Sequence, residues 1–154
     1  MCGFVGIIGL DPVAPALTLG LQAIQHRGQD AAGIGTLNKG RFHIVKACGL
    51  VTTAITAGDM ERLPGLAGIA HVRYPTAGGQ ATSEEAQPFV TRTPGIVMAH
   101  NGNLTNVVEL RNELFREDLR QLNTSSDSEV LLNVLAHELR ISVGGGKLRA
   151  EPAD

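Results

Sequence analysis

Met1-Cys2-Gly3-Phe4-Val5-Gly6-Ile7-Ile8-Gly9, residues 1–9, decides how the rest of the chain is read. Phe4, Val5, Ile7 and Ile8 form a short apolar run that stops at Gly9, ahead of Asp11-Pro12, which predicts a buried strand starting almost at residue 2. Cys2 sits at the start of that strand, one position after the initiator. Removal of Met1 leaves one residue carrying both a thiol and a free α-amino group, so nucleophile and base are combined. Gly3 beside it leaves room for a substrate to approach. The opposing reading is a small residue without chemistry, with Cys48 an equally plausible buried thiol.

Outward from this strand, Val13, Leu17, Leu21 and Ile24 recur at helical spacing and predict a helix from about Pro15 to His26, stopping at Gly28. Ala32–Leu37 and Phe42–Ala47 read as strands joined through Asn38-Lys39-Gly40-Arg41, a hairpin. A weak helix is expected over Thr53–Arg62 and a strand over Leu66–Val72, which delivers Arg73-Tyr74 into a long polar loop from Pro75 to Pro88. Phe89–Thr93 and Ile96–Ala99 form a second hairpin, ending at His100-Asn101-Gly102-Asn103. Val107, Leu110, Leu114 and Phe115 predict an amphipathic helix capped by Thr105 or Asn106. Ser126-Asp127-Ser128-Glu129 is a capping-box pattern ahead of Val130, Leu131, Val134 and Leu135. Hairpins come first and the longest helices late, so the class is α+β with mainly antiparallel sheet.

Composition narrows the function. The chain has 154 residues, 43% hydrophobic and 18% charged, enough for one domain and too few for two. Thirteen basic against fifteen acidic residues give a net charge of -2, which offers no broad electrostatic surface for nucleic acid or an anionic membrane. No apolar run reaches the roughly 18 residues of a membrane span and no basic n-region precedes one, so a cytoplasmic protein is expected. Two cysteines make neither a disulfide framework nor a zinc site, and the five histidines lack the H-E-x-x-H pattern, so no metal is expected. No nucleotide-binding glycine loop follows a strand.

Among the polar residues, Asn101-Gly102 after a strand offers a side-chain amide and a backbone N–H, the donors of an oxyanion hole, or else a plain turn. Arg73 at a strand end can clamp a carboxylate with its planar fork, and Asp127 at a helix N-terminus can pair with an ammonium; each also reads as a surface charge or a cap. Together they match a zwitterionic amino acid whose distal group reaches the thiol. His26, His71 and His100 border polar loops and are assigned no catalytic part.

As a set these motifs resemble a known family. The start Met-Cys-Gly-Phe-Val-Gly-Ile, QHRGQDAAGI at 25–34, HVRYPTAG at 71–78, EAQPF at 85–89, AHNGNLTN at 99–106 and SDSE at 126–129 are similar, in order, to the class II glutamine amidotransferase domain of the amidophosphoribosyltransferases. Gln29, Tyr74 and Leu104-Thr105-Asn106 favour that family over a glucosamine-6-phosphate synthase relative, the alternative amidotransferase; a non-catalytic glutamine-binding remnant is the alternative of another class. The resemblance implies the four-layer αββα sandwich of the N-terminal-nucleophile hydrolases. It implies Cys2 as nucleophile, Asn101 and Gly102 as the oxyanion hole, Arg73 and Thr76 on the α-carboxylate of glutamine, and Asp127 on its α-amino group. Arg27 and Gly28 would line the site near the nucleophile.

The implied chemistry releases ammonia from glutamine through a Cys2 thioester, for phosphoribosylamine formation from phosphoribosyl pyrophosphate in purine biosynthesis. The family's domain continues past this point and is followed by a phosphoribosyltransferase domain. Residues 2–154 are therefore expected to be the N-terminal part of the amidotransferase domain, weak or inactive alone. No cofactor is expected in this segment; magnesium belongs to the phosphoribosyltransferase domain, and the full-length protein is expected to be a homo-oligomer. Met1 directly before Cys2 implies no propeptide.

Overall fold

The computed structural model describes residues 1–74 and 82–143. Strands β1 (Gly3–Ile8), β2 (Ala31–Asn38), β3 (Arg41–Cys48) and β4 (Ala67–Arg73) form one antiparallel sheet in the order β1-β4-β2-β3. β5 (Phe89–Arg92) and β6 (Gly95–Met98) form a second, two-stranded sheet. The β2–β3 hairpin turns at Lys39 and Gly40, both at positive φ (48° and 75°), which suits the right-handed twist of its strands. β1 corrects an expectation: it is an edge strand paired only with β4, and Phe4 and Ile8 are exposed where the continuous apolar run predicted burial on both faces.

Helix α1 (Ala14–Ala23) lies across β1, β4 and β2. It is shorter than its apolar spacing predicts, and a 3-10 turn, Gln25–Arg27, carries the chain on to Gly28. The expected helix over 53–62 is two short ones, α2 (Val51–Ala54) and α3 (Ala57–Glu61). Ile55 between them is extended and buried, and Thr56 restarts the helix through reciprocal bonds with Asp59. Leu17, Leu21, Ile34, Val51, Leu63 and Val72 are fully buried between these helices and the large sheet. Each contributes about 1.5–3 kcal/mol from removal of apolar surface from water.

The opposite face of the large sheet receives the small one. Gly33 and Gly35 permit this: a Cβ on Gly33 would lie 2.0 Å from the Gln87 carbonyl oxygen, and one on Gly35 3.0 Å from Pro88 and 3.2 Å from Val97. Lys46 Nζ donates to the carbonyls of Glu84 (3.0 Å) and Ala86 (2.7 Å), fastening the segment before β5 to the large sheet. Beyond the small sheet lie α4 (Val107–Asp118) and α5 (Asp127–Ser142), so the order of layers is helix, sheet, sheet, helix. On α5 the buried residues are Ser128, Glu129, Val130, Leu132, Asn133 and Ala136. That face is rotated from the predicted one because α5 meets the small sheet on one side and α4 on another, leaving Leu135 exposed along with Phe115 of α4. Asn106 is the N-cap of α4 without a side-chain cap bond. The predicted capping box at 126–129 is half formed: Ser126 Oγ accepts from Ser128 N, while the Glu129 carboxylate accepts from the backbone N–H groups of Asn123 and Thr124. Among the described residues no helix is long and apolar enough to cross a membrane.

Candidate active site

Four segments meet at the end of the large sheet where β1 begins and β4 finishes. β1 and β4 run antiparallel with Gly3 opposite Val72, so Cys2 emerges beside Arg73 and Tyr74. The Tyr74 N–H donates to Cys2 Sγ at 3.4 Å. The carbonyl of Cys2 accepts from Arg27 Nε (3.1 Å) and from Asn101 Nδ2 (2.9 Å), which fixes the main chain of the thiol-bearing residue from two sides. Gly28 is buried so closely on β4 that a Cβ would sit 2.6 Å from the carbonyl carbon and oxygen of Arg73. Arg27 and Gly28 thus shape the site from behind and do not line its cavity.

That cavity, about 290 Å³, is lined by Cys2, Arg73, Gly102 and Asp127 among others, four residues that the sequence reading singled out. Their present partners are internal. Arg73 is anchored at both ends, Nη1 to Asp30 (3.0 Å) and Nη2 to Glu85 (2.8 Å), and its side chain is 13% exposed. Asp127 accepts from the Leu104 N–H at 2.9 Å and from Ser128 Oγ at 3.2 Å. Glu85 also accepts from Ser125 Oγ (2.6 Å), so it reaches across from Arg73 to the segment leading into α5. Thr76 lies outside the described residues. A larger and shallower groove of about 630 Å³ runs along β5 and the ends of α4 and α5, lined by Arg92, Arg120, Arg140 and Asp118, with no cysteine among the described residues that line it.

Several residues at the site were not singled out from sequence. Asp30 and Glu85 are charged residues inside the motifs QHRGQDAAGI and EAQPF, and only the fold brings them to Arg73. Gln87 and Ser128 also line the cavity and bond to one another at 3.0 Å. His71, read as bordering a loop, is within β4 and fully buried, and among the described residues its ring nitrogens have no hydrogen bond of good geometry, with the His100 main chain nearby. Burial pushes its pKa from 6.5 to about 4; the His100 main chain opposes that shift, and the nearby Arg73 and His100 charges add to it. Among the described residues no group of three or more His, Cys, Asp or Glu side chains is placed to hold a metal ion.

A cysteine at the N-terminal strand stands with an amide donor, an arginine and an aspartate around one cavity and its rim. A glutamine amidotransferase domain family model matches residues 63–139. The chain belongs to this glutamine amidotransferase family. Similar proteins include the amidophosphoribosyltransferases of Pseudomonas aeruginosa (55% identical over 142 residues, 92% of this chain and 28% of that protein) and Escherichia coli (55% over 141 residues, 90% and 28%). Among solved structures, the glutamine phosphoribosylpyrophosphate amidotransferase of B. subtilis in complex with ADP and GMP superposes with a TM-score of 0.75 at 33% identity, covering 88% of this chain and 29% of that one. The amidotransferase chain therefore spans somewhat over a quarter of the length of the curated relatives it matches. Its fold is that of the N-terminal-nucleophile hydrolases, α+β with antiparallel sheets. The named relatives are amidophosphoribosyltransferases, which leaves the glucosamine-6-phosphate synthase alternative unfavoured.

Proposed function

We propose that this chain supplies the glutamine-hydrolysing site of an amidophosphoribosyltransferase, providing ammonia for phosphoribosylamine formation from phosphoribosyl pyrophosphate. The observation that carries this reading is the convergence of Cys2, Arg73, Asn101 and Asp127, distant in sequence, on one small cavity and its rim. Met1 is exposed, and its removal is the step that frees the α-amine of Cys2. That amine takes the thiol proton, and the thiolate attacks the side-chain carboxamide carbon of glutamine. Asn101 Nδ2 and the Gly102 N–H stabilise the oxyanion that develops. The carbon–nitrogen bond then breaks as the leaving nitrogen takes up a proton and departs as ammonia. Water hydrolyses the Cys2 thioester to glutamate and regenerates the thiol.

Recognition uses the two ends of the amino acid. Arg73 receives the α-carboxylate, which must compete with Glu85 for Nη2, and Asp127 receives the α-ammonium. A diazoketone analogue of glutamine, applied to the complete polypeptide after Met1 removal, tests the assignment. One adduct on Cys2 by peptide mapping is the expected result; an adduct on Cys48, or none, refutes it.

A further inference from the structure

Gln87 is buried, 7% exposed, just before β5, and its carboxamide makes three hydrogen bonds. Oε1 accepts from the His100 N–H at 2.6 Å, while Nε2 donates to the His100 carbonyl at 3.1 Å and to Ser128 Oγ at 3.0 Å. A primary amide offers a donor and an acceptor side by side, which is what the N–H and C=O of one residue require. Gln87 therefore grips the main chain of His100 at both polar groups. The next two residues in the chain are Asn101 and Gly102, the amide and backbone donors assigned to the oxyanion.

The neighbours of this grip tie it to the site. Asn101 Nδ2 reaches the Cys2 carbonyl at 2.9 Å. Gly102 lies against the His100 ring, where a Cβ would come within 2.4 Å of Nε2, and it is two residues along the chain from the clasped main chain. Ser128 Oγ stands 3.2 Å from His100 Nδ1 and 3.2 Å from Asp127 Oδ1. Asp127 keeps a bond of its own from the Leu104 N–H at 2.9 Å, which does not pass through Gln87.

We propose that Gln87 is a positioning residue for the Asn101–Gly102 donor pair, acting through the clasped main chain of His100. The proposal rests on the glutamine-hydrolysing reading. Its claim is that loss of the clasp lowers the rate of the step in which the oxyanion forms and leaves glutamine binding, set by Arg73 and Asp127, largely intact.

The test uses the complete polypeptide, with Gln87→Leu, Gln87→Glu, Asn101→Ala and the Asn101→Ala double variants, assayed for glutaminase kcat and KM. Circular dichroism and Tm establish that each variant is folded. Gln87→Glu nearly preserves shape while turning an oxygen toward the His100 carbonyl, and serves where Gln87→Leu fails to fold. The expected result is a fall in kcat of about ten- to hundredfold with KM changed by less than about threefold. In the Asn101→Ala background the same change should cost no more than about twofold, because residues acting as a unit are not additive. Wild-type kcat in a folded Gln87 variant, a parallel change in KM and kcat, or additive losses would overturn the proposal alone. Wild-type protein that does not hydrolyse glutamine, or hydrolyses it equally well as Cys2→Ala, would overturn the functional reading and this proposal together.

Discussion

Gly28→Ala tests how closely the site depends on the approach of the turn at 25–28 to β4. The added methyl would meet the Arg73 carbonyl carbon and oxygen at 2.6 Å, while ordinary contact begins near 3.4 Å, so about 0.8 Å must open. Both atoms are main chain, and no side chain can turn aside to relieve the clash. Arg73 cannot retreat freely, since its carbonyl accepts from the Asp30 N–H at 3.0 Å and it is paired with Ala31 in the β2–β4 ladder. Overpacking of this kind costs about 1–3 kcal/mol. The shift falls on the residue that carries the guanidinium, and on Tyr74, whose N–H donates to Cys2 Sγ. A displacement near 1 Å in a site of this type costs about a hundredfold in rate. Urea denaturation and steady-state glutaminase assays of the complete polypeptide measure the two effects. Gly40→Ala is the control: nothing lies within 4 Å of its Cβ, so only its φ of 75° counts, a cost of about 1–2 kcal/mol with unchanged kcat/KM. Wild-type stability and kcat/KM in Gly28→Ala would refute the close-approach argument.

Arg73→Lys should raise KM for glutamine at least tenfold, since one ammonium cannot reproduce the two-ended guanidinium that now spans Asp30 and Glu85; an unchanged KM would remove Arg73 from substrate binding. Buried His71 titrates at about 4 when folded against 6.5 when unfolded, so the unfolded chain binds the proton first as pH falls. Stability should therefore decline between about pH 6.5 and about pH 4, by roughly 3 kcal/mol from this residue, and His71→Phe should remove that part of the slope. Equal acid sensitivity of the two proteins in denaturant titrations would refute it. Leu17→Ala, at a fully buried position of α1, should lower stability by about 2–5 kcal/mol without changing KM, as read by denaturant midpoint and glutaminase assay.

Local signals in the sequence were strong where local physics settles structure. Asn38-Lys39-Gly40-Arg41 reads as a tight hairpin because Gly40 takes positive φ without cost, while the positive φ of Lys39 is imposed by the turn itself. The helices near 107 and 127 follow from apolar spacing and a capping serine. Signals failed where tertiary neighbours decide. Glu129 has the spacing of a capping-box acid, yet the loop at 123–124 offers its carboxylate two backbone N–H groups and takes it away from Ser126. The run from Phe4 to Ile8 cannot distinguish an edge from a central strand, because periodicity does not count neighbours.

The sequence by itself determined the residue types of the site and the elements that carry them: a cysteine at the head of a strand, Asn-Gly after a hairpin, an arginine at a strand end, an aspartate at a helix start. Only the tertiary structure decided what those residues touch. Arg73 is held between Asp30 and Glu85, the Cys2 carbonyl between Arg27 and Asn101, and the His100 main chain by Gln87. Such pairings join residues far apart in the chain, and they form because Gly28 and Gly33, lacking a Cβ, let separate layers approach to distances at which buried polar groups must find partners.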